Sequence, residues 1–341
     1  MSIKISVGMI VLNGEPFLRY NLRALYPFVH QIIVVEGACQ SAAAIATCDG
    51  HSTDGTLETL RDFKAHEDPE NKVRIVTAAD EGYVDGFWPE KDEMSWAYAK
   101  RATGEYLWQV DSDEFYHEEH IPRLLRFIER TRPDAVSFPM VPFWGDLAYN
   151  VNSFRLIRDN SREYHRLFAW GPGYSYKTHR PPTVIDDKGV ETRKKHWVRA
   201  RDLEKEGIYL FHYSLLFPHQ VFNKVSYYKE RLQSDIDAWE ETVYRRLEKP
   251  FRAHNAYQYI GWLERFKGEH PLSSRTMMVD IESKKLNVPL RDCADVERLL
   301  GNRFYVAATK VLRFCATAMA IPPLYVMYRA YRRTRHLLFA R

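Results

Sequence analysis

No two cysteines in this chain are spaced as a CxxC pair, no apolar run is both long and clean enough to span a bilayer, and no unit repeats. Each absence removes a class of protein. Cys39, Cys48, Cys293 and Cys315 are too scattered for a disulfide framework, so reduced thiols in a cytosolic setting are expected. Cys39, Cys48 and His51 lack a fourth ligand at zinc spacing and read as a plain loop. The first apolar run, 5–12, breaks at Asn13-Gly14, which is too short for a membrane span or a secretory leader and suits a strand. After it, Leu12-Asn13-Gly14-Glu15-Pro16 lacks the glycines and the basic residue of a phosphate-gripping loop, which speaks against a nucleotidylyltransferase. A net charge of +4 is too mild to point to nucleic acid.

What is present is enough apolar residue, 45% over 341 positions, for a full core in one large α/β domain with additions, or in two domains. Strand and helix signals alternate through the first third. Apolar runs 3–12, 31–36, 73–76 and 106–110 read as buried strands, and 17–26, the run Leu57, Leu60 and Phe63, and 92–103 carry apolar residues at helical spacing. Ser52, Thr53 and Asp54 read as a helix N-cap. This alternation predicts a mostly parallel central sheet with right-handed crossovers and helices on both faces. Further on, a helix is expected over 121–131 and a strand over 135–141. A loosely patterned stretch of aromatics, Arg and His then leads to a short strand ending on His212, and an amphipathic helix with a solvated face is expected over 220–247.

The run Tyr106-Leu107-Trp108-Gln109-Val110 stops in Asp111-Ser112-Asp113-Glu114, three acids within four residues. At the C-terminal end of a parallel strand such acids face the crevice where open α/β sheets bind ligands. Two aspartates flanking a serine suit a divalent cation completed by a diphosphate. The bland alternative is a solvated turn or a cap for the next helix. Glu36 likewise ends a buried strand, where a carboxylate can hold a ribose or base, or simply meet solvent.

Five short motifs in order resemble glycosyltransferases of family 2 with the GT-A fold. They are Val7-Gly8-Met9-Ile10-Val11-Leu12-Asn13, the strand ending on Glu36, Ser52-Thr53-Asp54-Gly55-Thr56, Ala102-Thr103-Gly104-Glu105-Tyr106 and Asp111-Ser112-Asp113. The resemblance covers about the first 120 residues. It implies that Leu12, Asn13 and Glu36 surround the nucleotide, with Asp54 close by and Lys91 reaching the phosphates. Family members more often have Asp where this chain has Glu36. It further implies that Asp111 faces the ribose and metal, that Asp113 binds Mn2+ or Mg2+, and that His212 completes the metal shell. Arg166-Leu167-Phe168 followed by His179-Arg180-Pro181-Pro182 is similar to the segment ending in His-Glu in lipopolysaccharide-core-type members, with Arg180 at the glutamate position.

The resemblance implies metal-dependent, inverting transfer of a sugar from a nucleotide-sugar, by family default a UDP-sugar, to a hydroxyl of a glycan or lipid-linked acceptor. A base must take the acceptor proton. Candidates are His179, Asp146, Glu163, Asp186 and Asp187, with His179 and Asp186 preferred because imidazole titrates near neutrality and the family favours a carboxylate. The alternative is a non-catalytic sugar-nucleotide-binding or scaffold protein on the same fold. Domains are expected as 1–215 for catalysis, with 140–215 facing the acceptor, 216–302 as a helical extension and 303–341 as an apolar-basic C-terminal segment. In that last segment Lys310, Arg313 and Pro322-Pro323 interrupt the apolar run 304–328, and Arg329, Arg332, Arg333, Arg335 and Arg341 follow with no acid. This pattern suits interfacial contact with the cytoplasmic face of a membrane, or else a helix packed on the domain.

Overall fold

The computed structural model describes residues 3–158, 162–232, 235–254 and 259–321. The first third alternates as expected: β1 (Ile5–Val11), α1 (Phe17–Leu25), β2 (Gln31–Glu36), α2 (Thr56–His66), β3 (Val73–Val76), α3 (Lys91–Ala99) and β4 (Tyr106–Gln109). β1 pairs in parallel with both β2 and β4, and β2 with β3. β1, β2 and β4 are buried on two faces and largely apolar, whereas Arg74 of the edge strand β3 is exposed. Ile32 and Val34 enter one core with Ile5, Val7 and Met9, while Ile33 and Val35 enter the other with Leu107, Trp88 and Tyr98. Gly8 is required where it stands: a Cβ there would lie 2.3 Å from the Tyr98 ring, which packs flat on β1.

Past β4 the sheet turns antiparallel. In chain order follow β5 (Glu114–Phe115), α4 (Ile121–Thr131), β6 (Ala135–Trp144), β7 (Asp146–Ser153), α5 (Phe154–Arg158), β8 (Glu163–Ala169), β9 (Ser175–His179), β10 (Pro182–Ile185), β11 (Trp197–Val198), α6 (Ala200–Lys205) and β12 (Leu210–Leu215). The main path runs β7-β6-β8-β4-β1-β2-β3. β8 is antiparallel to β4 and β6, and β6 to β7, whereas β12 returns parallel to β6 and antiparallel to β5. The sheet is thus mixed: parallel in its nucleotide-type half and mainly antiparallel beyond. Most of the described part of the stretch that looked loosely patterned is strand, and its aromatics pack into all four cores: Tyr164 in the first, Phe168 and Tyr176 in the second, Trp144 and Tyr149 in the third and Phe143 in the fourth.

The remaining elements are α7 (Pro218–Leu232), α8 (Asp235–Trp239), β13 (Gly261–Arg265), α9 (Leu272–Glu282), α10 (Ala294–Gly301) and α11 (Arg303–Met319). The expected single helix over 220–247 is instead α7, α8 and a π-helical turn at Glu240–Arg245. β13 pairs antiparallel with β7, so the helical extension also supplies an edge strand. α9 packs on α1, and the Leu263 N–H of β13 donates to Tyr305 Oη of α11 at 2.9 Å. Among the described residues no helix is long and apolar enough to cross a membrane.

One ion pair bridges the two halves. Arg166 of β8, 6% exposed, donates through Nε to Glu114 Oε2 at 2.8 Å and through Nη2 to Glu114 Oε1, and Glu114 is itself 0% exposed. Burial pushes the Glu114 carboxyl up against the pull of Arg166. Replacing Arg166 by Met leaves that carboxylate buried and unpaired, so we expect a loss of about 3–5 kcal/mol, read from the urea midpoint. A loss below about 1 kcal/mol, as for an exposed pair, would show that the pair is not structural.

Burial also holds the imidazoles of His165, His254 and His270 down at about 4, against an ordinary 6.5. They stay neutral in the fold, while the unfolded chain takes up protons below 6.5. Stability is therefore unaffected by these groups above pH 7 and falls as pH drops from 6.5 toward 4, by up to about 1.4 kcal/mol per pH unit for each group. Unfolding free energies at pH 7.5 and pH 5 check the sign; equal values would overturn it.

Candidate active site

The C-terminal ends of β1, β2 and β4 open on a cavity of about 190 Å³. Of the residues expected from the sequence, Leu12, Asn13, Lys91, Asp111, Asp113 and His179 line it; Glu36, Asp54, Asp186 and His212 do not. Ile10, Ala42 and Ile45 form its apolar wall, so the Ala-rich stretch 37–50 builds the site.

The three acids outside the lining are engaged elsewhere. Glu36 accepts from His51 Nδ1 at 2.7 Å and from the Ser52 N–H at 2.8 Å, holding the loop after β2. Asp54 accepts from the Glu15 N–H at 2.9 Å and from Thr56 Oγ1 at 2.6 Å. The expected Ser-Thr-Asp cap does not form; α2 starts behind Gly55 at φ 89°, and Ser52 Oγ instead accepts from the Asn13 N–H. Asp186 accepts from the N–H groups of Lys188 and Val190 and pairs with Lys195 Nζ at 3.0 Å, so the structure does not bring it to the cavity.

At the cavity floor Asn21 of α1 donates to the carbonyls of Ser112 and Glu114, at 3.1 and 2.6 Å, which fixes the turn after β4. Asp111 Oδ2 accepts from Arg166 Nη2 at 3.2 Å, and Asp111 Oδ1 is buried without a hydrogen bond. Burial alone would raise the Asp111 carboxyl. Arg166 first, then His179, Arg180 and His212, hold it well below the ordinary range. Asp113 Oδ2 accepts from Gln220 Nε2 at 3.1 Å, with Lys224 Nζ 3.9 Å away.

Asp113 Oδ1 faces His212 Nε2 across 3.6 Å. Burial pushes His212 down to about 4, so the ring is neutral, and its Nδ1 lies 3.2 Å from Met140 Sδ. With Nδ1 donating to that sulfur, Nε2 presents a lone pair to a carboxylate oxygen. Two acceptors facing across this gap suit a divalent cation with bonds of about 2.1 Å to each. Among the described residues no three His, Cys, Asp or Glu side chains converge as a metal cluster. Asp113 Oδ1 and His212 Nε2 are the facing pair that could take a cation, and Asp111 Oδ1 is a further carboxylate oxygen left without a hydrogen bond.

His179 of β9 is 2% exposed. Its N–H donates to Asp92 Oδ1 at 2.6 Å, and its Nδ1 lies 3.0 Å from Ser95 Oγ. Burial, reinforced by Arg180 and Lys91 against Asp111, pushes its ring down to about 3. Sequence reasoning expected a helix here but missed that one face of α7 lines the site. Gln220, Asn223, Lys224, Tyr227 and Tyr228 all line the cavity, at the 3–4 residue spacing of one helix face. That period was visible in the sequence, though its polar residues read as a solvated surface.

The family model described as Glycosyl transferase family 2 matches residues 96–179, from α3 through β9. No curated protein matches the chain. Among solved structures, S. aureus TarS 1-349 in complex with UDP-GlcNAc is 14% identical with a TM-score of 0.37, over 75% of this chain and 74% of that one. Glucosyl-3-phosphoglycerate synthase from Mycobacterium tuberculosis, in complex with Mn2+, UDP and glucosyl-3-phosphoglycerate, is 17% identical with a TM-score of 0.33, over 49% of this chain and 57% of that one. Likeness at this level assigns no residue its role. The matched segment carries Asp111-Ser112-Asp113 on the floor of the cavity.

Proposed function

We propose that the protein transfers a sugar, with inversion, from a UDP-sugar to a hydroxyl of a glycan or lipid-linked acceptor, as in cell-surface polysaccharide assembly, with Mn2+ or Mg2+ held by Asp113 and His212. The observation that carries this reading is the pair of facing acceptors, Asp113 Oδ1 and His212 Nε2, at the end of a cavity whose other wall is apolar. Leu12 and Asn13 flank the nucleotide at that wall. Bound there, the ion would offset negative charge on the departing diphosphate. Lys91 and Lys224 add fixed positive charge beside it, with Lys91 Nζ resting 4.0 Å over the Tyr227 ring.

His179 is the base in this reading. Ser95 Oγ donates to the Lys91 carbonyl at 3.1 Å, so the Ser95–His179 contact has imidazole Nδ1–H as its donor. Nε2 then keeps the lone pair that takes the acceptor proton. Asp186 has no part in the reading, because Lys195 and two backbone N–H groups occupy it.

Thermal unfolding with UDP, with and without Mn2+, tests the donor end. We expect stabilisation that grows with Mn2+ in the intact protein, and loss of the Mn2+ effect in Asp113→Asn and His212→Ala. No shift with any nucleotide-sugar would sink the transferase reading. In a turnover assay His179→Ala should lose about a hundredfold or more while still binding UDP; full turnover removes it as base.

The C-terminal helix supports a peripheral position on the cytoplasmic face of an anionic membrane. Phe304, Val311, Phe314 and Ile321 are 72%, 61%, 74% and 52% exposed. Their spacing places them along one side of α11, where Arg303 and Lys310 are also exposed. No acid occurs from Arg303 to the end of the sequence. The five later arginines, and the rest of the expected apolar-basic segment beyond residue 321, lie outside the described residues. Co-sedimentation with phosphatidylglycerol vesicles is expected, with binding cut about tenfold or more in the Phe304→Ser/Phe314→Ser double variant. Equal binding to neutral vesicles, or none to anionic ones, overturns the membrane assignment.

A further inference from the structure

Lys91 and Arg180 both line the cavity, and neither makes an ion pair with a carboxylate among the described residues. They lie close enough that Arg180, after burial, is the main influence pushing the Lys91 ammonium down. The acid nearest them in charge terms, Asp111, gives Oδ2 to Arg166. Arg180 is also fixed in place: Nη1 donates to Tyr228 Oη of α7 at 2.5 Å. Burial would raise that phenol, but Arg180, Lys91 and Lys224 together pull it down. A guanidinium fastened by a phenol, beside a second cation and open to the cavity, is an arrangement completed by an oxyanion.

Two anions come to a sugar-transfer site, and placement separates them. The diphosphate belongs near Asp113 and His212, where Lys224 Nζ stands 3.9 Å from Asp113 Oδ2. Arg180 instead follows directly on His179, the residue that meets the acceptor hydroxyl. We propose that Arg180, held by Tyr228, is the seat of a phosphate or carboxylate group on the acceptor, so that the enzyme glycosylates an anionic acceptor. The proposal rests on the transferase reading for which anion is which, with Lys91 serving the diphosphate there; the seat itself rests on the Arg180 guanidinium at the cavity and its phenol.

The test titrates inorganic phosphate by calorimetry into the full chain saturated with UDP and Mn2+. Phosphate is expected to bind the loaded protein, and Arg180→Gln to weaken it about tenfold or more while changing UDP affinity less than about twofold. Tyr228→Phe should weaken phosphate by a smaller factor, and Arg180→Lys should recover part of the loss. If UDP competes with phosphate, or Arg180→Gln weakens UDP as much as phosphate, Arg180 serves the donor and the proposal fails. Should UDP and Mn2+ not bind at all, the same titration on the free protein separates the two readings. Arg180-dependent phosphate binding then leaves the seat standing without the donor, and its absence overturns the seat as well.

Discussion

The buried guanidinium of Arg166 is the constraint on which both the fold and the site depend. It stands on the first antiparallel strand beyond the parallel half, and its acids lie at the end of β4, so the ion pair fixes the place where the sheet changes direction. A charge at that depth is tolerable only when paired and hydrogen-bonded. Glu114 satisfies most of that need, and Asp111 shares the rest. Asp111 gives only Oδ2 to Arg166 and keeps Oδ1 without a hydrogen bond, while Asp113 is the aspartate whose Oδ1 faces His212.

A division of labour among the acids follows from local donors. Glu36, Asp54 and Asp186 each stand where a sequence pattern places a functional carboxylate, at a strand end or in a loop near the cavity. Each is surrounded by backbone N–H groups or a cation supplied by its own loop. A carboxylate that already accepts two or three hydrogen bonds has little left for a ligand. It serves instead to hold loops such as 51–56 against β1, and those loops in turn set the position of Asn13 on the nucleotide side.

What the sequence could disclose divides along the same line. Continuous apolar runs identify β1 to β4 because both their faces are covered, and the abrupt acids after Val110 identify the site edge. Beyond the strand expected over 135–141 the antiparallel half escaped because β7 to β9 mix aromatics with Asn, Arg and His, and β8 must find both β4 and β6 before its pattern has meaning. The face of α7 escaped for a related reason. Gln220, Lys224 and Tyr228 at helical spacing look the same toward water as toward a polar cavity, and only the packing of α7 over the β2–α2 loop distinguishes the two. Arg166 carries no local signal, since its partners lie more than fifty residues earlier.

The cavity's electrostatics also join its two ends. Burial first, and then Arg180 and Lys91, depress His179, so its ring, contacted at Nδ1 by Ser95, is a weak proton acceptor at about 3. An oxyanion on Arg180 would cancel part of the positive field that adds to burial, and the diphosphate beside Lys91 would cancel more. Both changes raise the basicity of Nε2. Under this arrangement the base strengthens only as donor and acceptor arrive, which ties proton removal to a fully occupied site and leaves the sugar nucleotide less exposed to hydrolysis by a stray water.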